Sequence, residues 1–149
     1  MEEIMVQNGD EDFYGAAVRH WVDGAILEEQ GEYDSAVCMQ GFAAECALKK
    51  ILEKGRSNEE IRKYGHFGPG LLRDIEMMLL GDISLAAVID PACGLRLSSF
   101  SLPEILFYQH PDRRYFRDGI YSDEDARECR NAAEDLLKEM FRLRLDGYI

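Results

Sequence analysis

Three arginines and two aromatic rings are concentrated in one short segment of the sequence, from His110 to Arg117. Guanidinium groups bind phosphate through paired hydrogen bonds, and aromatic rings stack on nucleobases. Arg113, Arg114 and Tyr115 are therefore candidates for binding a phosphate and a base. The alternative is a solvated turn whose arginines pair with the acidic residues that follow, and the sequence leaves both interpretations open.

A carboxylate and an ammonium group lie four residues apart in a segment that is rich in small residues, at Glu45 and Lys49. On a helix such a pair forms a simple ion pair worth about 0.2–0.5 kcal/mol. The alternative is that Glu45 is a partly buried carboxylate that orients a positive group, so that Glu45 and Lys49 shape a binding cleft.

The three histidines, His20, His66 and His110, stand in none of the common catalytic motifs. The chain contains no H-E-x-x-H, no G-x-S-x-G and no phosphate-binding P-loop, which disfavours a zincin, a serine hydrolase and a P-loop enzyme. The cysteines lack C-x-x-C spacing and are expected to be inert thiols: Cys38, Cys46, Cys93 and Cys129. Of these, Cys38 and Cys129 are expected on inward helix faces, as small buried hydrophobic residues. The sequence thus predicts no catalytic residue, no metal site and no cofactor.

Helical periodicity is the dominant pattern, and no convincing alternating strand is found. A first helix is predicted from about Glu11 to Gln30 and a second from about Asp34 to Lys54, with a helix-ending glycine at Gly31 between them. Because the connection is short, the two helices must be antiparallel neighbours. The inward stripe predicted for the first helix consists of Tyr14, Val18, Trp21, Val22, Ala25 and Ile26.

The remaining elements are less regular until the last helix. Ser57 resembles the start of a capping box, and Ser122 resembles another that opens a final helix ending near Arg144. Between them the sequence predicts a glycine-rich loop at 65–70, a helix at 71–80, a short helical piece from 82 or 84 to 89, and a loop at 91–119 that contains an apolar segment at 102–108. The fold class predicted is all-α, an up-and-down bundle of four to five main helices.

Composition supports one domain in a chain of 149 residues, of which 46% are hydrophobic and 31% are charged. The net charge of −12 argues against a general nucleic-acid binder, yet it leaves room for a local basic pocket. We expect an acidic tail at 1–12, a single domain at 13–145 and a short tail at 146–149. Without an apolar run for a signal peptide or a membrane span, the expected location is cytoplasmic with no membrane contact.

Several separated segments together resemble the HEPN family, the higher-eukaryote and prokaryote nucleotide-binding domains. The match runs from about Phe13 to Arg144, in order and with similar spacing. Phe67 and Gly68 depart from the family pattern, which often has an acidic residue and a leucine after the histidine. The segments that carry the resemblance are Arg19–Ala25, Gly31–Ala36, Gly41–Lys49, Tyr64–His66 with Leu71–Leu72, and Arg114–Tyr115 followed by Ser122–Ala126.

The resemblance implies a HEPN-like homodimer that binds a nucleotide or RNA in a cleft near the dimer interface, and a nucleotidyltransferase-like antitoxin as a partner protein. Many family members are ribonuclease toxins that use an Arg and a His separated by four to six residues. Arg130 and Asn131 begin in that style, but Asp135 and the two leucines after it replace the histidine. The resemblance therefore supplies no catalytic residue, and Arg130 and Asn131 are candidates for binding only.

Three functions follow as hypotheses. The first is a non-catalytic HEPN-like domain that binds a nucleotide, RNA or a partner, as in toxin–antitoxin pairs. The second is a metal-independent ribonuclease whose base, His110 or His66, folds back beside Arg130. The third is a subunit that binds only other proteins, which an acidic surface would suit.

Overall fold

The computed structural model describes residues 11–53, 55–66, 102–147 and 149, and within these ranges the chain is helical with no strand. The predicted all-α class is confirmed. None of the helices described is both long enough and apolar enough to cross a membrane. The helical predictions at 71–80 and 82–89 lie outside the described residues. The α-helices are α1 (Phe13–Glu29), α2 (Tyr33–Leu52), α3 (Asn58–Arg62) and α4 (Asp123–Leu145), with 3₁₀ helices at Glu104–Leu106 and Asp112–Tyr115.

The two long N-terminal helices are antiparallel, as the short connection predicts. Gly31 has a positive φ of 79°, and its N–H donates to the Glu28 carbonyl, which ends α1. The end of α2 lies beside the start of α1, because the Lys49 ammonium is 5.7 Å from the centre of the Phe13 ring. Near the middle of both helices, the Gln40 side chain donates to the Trp21 carbonyl at 3.2 Å.

The buried face of α1 differs from the predicted stripe. Val22 and Ile26 are 40% and 48% exposed, whereas Ala17 and Gly24 are buried. A Cβ atom on Gly24 would clash with the Gln40 amide nitrogen, so the lack of a side chain at Gly24 allows the two helices to approach closely. The prediction that Val22 and Ile26 point inward is therefore wrong, because close helix contact, not side-chain hydrophobicity, selects the face.

The central helix is α2, which contacts both α1 and α4 and buries most of its residues. α4 is antiparallel to α1: the rings of Tyr14 and Phe141 meet at 5.6 Å at one end, and Arg130 pairs with Glu28 at 2.9 Å toward the other. The buried stripe predicted for α4 is confirmed, and so is its capping box at Ser122. The members of that stripe are Ala126, Cys129, Ala133, Leu136, Leu137, Met140 and Leu143.

Candidate functional site

Arg113 anchors the predicted basic segment inside the protein. Only 3% of the residue is exposed. Its guanidinium donates hydrogen bonds to the Ile105 and Leu106 carbonyls at 2.5 and 2.6 Å, and longer ones to the Tyr108 and Val37 carbonyls. Four backbone oxygens from the preceding loop and from α2 thus surround this cation. Arg113 is engaged within the fold and holds the segment against α2.

A glycine on α2 makes this close contact sterically feasible. A Cβ atom added to Gly41 would lie 2.5 Å from the Arg113 Nη2 atom and 2.8 Å from the His110 Nδ1 atom. Such separations are far inside van der Waals contact, so a side chain here would displace one group or both. At Gly41, the small-residue stretch of α2 therefore accommodates the side chains of Arg113 and His110.

The residues after Arg113 form an exposed basic and aromatic surface, the basic platform, defined as Arg114, Tyr115, Phe116 and Arg117. Tyr115 is 75% exposed and Phe116 is 42% exposed. The Arg114 guanidinium lies over the Tyr115 ring, 4.8 Å from its centre, in a cation–π contact. Of the three residues predicted to bind phosphate and base, Arg114 and Tyr115 are thus accessible, whereas Arg113 is enclosed.

A pocket of about 180 Å³ lies between the basic platform and the first half of α2. Its wall includes two carboxylates, Asp34 and Asp118. The Asp34 carboxylate accepts hydrogen bonds from the backbone N–H groups of Gly119, Ile120 and Tyr121, which fixes the chain just before α4. The arginines that line the pocket are Arg113, Arg114 and Arg117.

A second group of polar side chains, the Glu45 cluster, is defined as Glu45, His66 and His110. Glu45 is only 4% exposed. Its Oε1 atom lies 3.3 Å from the His66 Nδ1 atom and 3.5 Å from the His110 Nε2 atom. Its Oε2 atom faces the Lys49 ammonium at 3.9 Å, and Lys49 also donates to the Gly65 carbonyl at 2.5 Å. The predicted Glu45–Lys49 pair is thus part of a larger buried arrangement.

All three histidines surround the ring of Phe42. The ring centres of His20, His66 and His110 lie 5.9, 5.8 and 4.6 Å from that of Phe42. Burial lowers the pKa of His20, and the charge of Arg19 lowers it further, so His20 is neutral at pH 7. The other two histidines, His66 and His110, belong to the Glu45 cluster. One nitrogen of each ring and one Glu45 oxygen all lie within 4.8 Å of one another.

The described cysteines behave as the sequence predicts for buried thiols. Burial raises the pKa of Cys46 to about 11 and that of Cys129 to about 12, and it also raises the pKa of Cys38. These thiols remain protonated at neutral pH and are poor nucleophiles and poor metal ligands. Cys93 lies outside the described residues.

The two candidate residues on α4 lie apart from both groups. Arg130 pairs with Glu28, and Asn131 lines an acidic hollow together with Glu104, Glu128 and Asp135. His66 and His110 face Glu45, and Arg130 faces Glu28. The candidate residues therefore separate into the basic platform with its Arg113 anchor, the Glu45 cluster with Lys49, and this acidic part of α4.

Comparison with family models, curated proteins and solved structures finds no match to this chain. The HEPN resemblance remains a prediction that rests on sequence motifs. The interpretation of the two sites accordingly depends on their own geometry and charge.

Proposed function

We propose that this chain is a non-catalytic, HEPN-like domain that binds a nucleotide or single-stranded RNA at the basic platform. The observation that supports this most directly is the Arg114 guanidinium stacked on a Tyr115 ring that is itself 75% exposed. An aromatic face beside a cation suits a base and its phosphate together.

Each residue of the platform has a separate task in this proposal. Tyr115 stacks on a base, and Arg114 and Arg117 bind the adjoining phosphates through charge-assisted hydrogen bonds. Arg113 holds the segment in place through its hydrogen bonds to backbone carbonyls. Because the net charge of the chain is −12, affinity depends on this local group of cations. It falls as salt concentration rises, since each phosphate contact releases counterions.

Replacement of Tyr115 by alanine is expected to lower the affinity for a short single-stranded RNA about tenfold. Base–aromatic stacking contributes about 1–3 kcal/mol per base, and 1.4 kcal/mol corresponds to a factor of ten. Fluorescence anisotropy with a labelled RNA oligonucleotide at fixed, low salt measures this change. The Arg114→Glu variant is expected to abolish binding, because it inverts the charge that meets the phosphate.

Tyr108→Ala is a matched control, since Tyr108 is 54% exposed and lies in the preceding loop beside an acidic hollow. It should leave the affinity for RNA unchanged. An RNA duplex should bind more weakly than the single strand, because its bases are already stacked. Equal affinity of the wild type, Tyr115→Ala and Arg114→Glu would refute the proposal.

One observation favours a protein–protein role as a second candidate function, in the form of the predicted homodimer. Val22 and Ile26 are exposed one turn apart on α1, where they form an apolar strip that a second copy of the chain would cover. We expect light scattering to give a dimer for the wild type and a monomer for Ile26→Asp. Leu145→Asp, at a residue that is 87% exposed at the end of α4, should remain dimeric. A monomeric wild type would contradict this role. The nucleotidyltransferase-like partner protein implied by the HEPN resemblance stays a prediction.

A further inference from the structure

We propose that Glu45, His66 and His110 form a binding site for a divalent transition-metal ion of the Zn²⁺ type. The site is separate from the basic platform, and it uses the buried face of α2, the segment after α3 and the loop before the second 3₁₀ helix. No sequence motif predicts this site, and the HEPN resemblance does not imply it.

The distances within the Glu45 cluster match those between ligands of one ion. Zn²⁺ lies about 2.0–2.1 Å from nitrogen and oxygen ligands in tetrahedral sites, which places the ligand atoms about 3.3 Å from one another. The Glu45 Oε1 atom is 3.3 Å from the His66 nitrogen and 3.5 Å from the His110 nitrogen. All three atoms lie within 4.8 Å of one another, so a small rotation of His66, whose side chain is 50% exposed, completes the arrangement.

The environment of His110 also supports a metal ion at this position. Its side chain is 1% exposed, and its buried Nε2 atom forms no hydrogen bond with the described residues. The separation of 3.5 Å from Glu45 Oε1 exceeds the usual hydrogen-bond range for nitrogen and oxygen. A buried polar nitrogen without a partner is unfavourable. A metal ion between His110 and Glu45 would give this nitrogen a partner.

The surroundings orient the ligands. Lys49 faces the Oε2 atom of Glu45, whereas both histidines face Oε1, and Lys49 donates to the Gly65 carbonyl directly before His66. Gly41 allows His110 to approach α2, because a Cβ atom added at position 41 would lie only 2.8 Å from the His110 Nδ1 atom. These contacts are the kind of outer support that positions metal-binding side chains.

The chemistry of the donors selects the class of ion. Two imidazole nitrogens and one carboxylate suit Zn²⁺, Co²⁺, Ni²⁺ or Fe²⁺, whereas Mg²⁺ and Ca²⁺ prefer sites made of oxygen atoms. Three protein ligands leave a fourth tetrahedral position for water or an added ligand. The half-exposed side chain of His66 gives solvent access to that position.

Titration of metal-free, full-length protein with Co²⁺ tests the site through the visible absorption of the bound ion. The expected result is one ion per chain, displaced by Zn²⁺. We expect His66→Ala and Glu45→Gln to weaken binding at least about a hundredfold, since even loss of an outer supporting residue costs about 10–100-fold. Circular dichroism verifies that each variant is folded. His66→Gln is a second variant at the same position, which has the most exposed side chain of the three proposed ligands.

His20→Ala is the matched control, because His20 contacts the same Phe42 ring but lies outside the ligand set. It should retain the wild-type affinity for Co²⁺. Zn²⁺ should raise the melting temperature of the wild type and of His20→Ala, but not that of His66→Ala. The proposal is overturned if the wild type binds no stoichiometric ion. It is equally overturned if a folded His66 variant binds as the wild type does, or if the bound Co²⁺ shows thiolate absorption.

Discussion

Replacement of Arg113 by alanine is expected to lower the free energy of unfolding by about 3 kcal/mol. The substitution removes a buried cation that donates to four backbone carbonyls and leaves those oxygens with fewer donors. A buried polar group that loses its partner costs about 1–3 kcal/mol, and part of this loss is recovered where water reaches the loop. Urea denaturation monitored by circular dichroism measures the change, and the melting temperature should fall by about 10 °C.

The neighbouring Arg114 supplies the control, since it has the same side chain but is exposed. Arg114→Ala should change the free energy of unfolding by no more than about 0.5 kcal/mol, as most surface substitutions do. Its effect should appear instead in the affinity for RNA. Equal stability of the two variants would mean that Arg113 does not anchor the loop.

These two arginines illustrate what sequence alone could not determine. Arg113 and Arg114 are adjacent residues of one type, and no local pattern distinguishes the anchor from the exposed cation. Arg113 is enclosed because it reaches the Val37 carbonyl on α2, which is 76 residues away in the sequence. Phosphate binding by Arg113 remains a prediction from the sequence. In the structure, its guanidinium donates to backbone carbonyls of the same chain.

Local features were predicted well because local interactions determine them. Gly31 ends α1 through its positive φ, and Ser122 begins α4 through reciprocal hydrogen bonds with Asp125. Periodicity placed the buried stripe of α4, whose polar and apolar faces differ strongly. The face of α1 was mispredicted at Val22 and Ile26, because apolar residues are spread around that helix.

The Glu45 cluster illustrates a different limit of sequence analysis. A carboxylate on α2 and two histidines from separate loops meet only after the chain has folded. Metal motifs are recognised by short spacings, and these three residues have none. The scarcity of histidine was the available signal: all three in the chain gather around one phenylalanine ring.

Replacement of Gly41 by alanine is expected to lower the free energy of unfolding by about 2 kcal/mol, although alanine favours helices. The gain in helix propensity is about 1 kcal/mol, and overpacking of a tight contact costs about 1–3 kcal/mol or more. Here the new Cβ atom would meet Arg113 and His110 at 2.5 and 2.8 Å, and Arg113 cannot move without breaking its bonds to backbone carbonyls. Urea denaturation of Gly41→Ala measures the net loss.

A double-mutant cycle between Gly41→Ala and Arg113→Ala separates the steric cost from a general weakness of α2. With the guanidinium removed, the nearest obstacle to the new Cβ atom is gone, and only the His110 contact remains. The two losses should therefore sum to more than the loss in the double variant, by about 1 kcal/mol, as expected for residues in contact. Additive losses would show that the loop does not press on Gly41. A more stable Gly41→Ala single variant would show that helix propensity outweighs the contact between α2 and the loop.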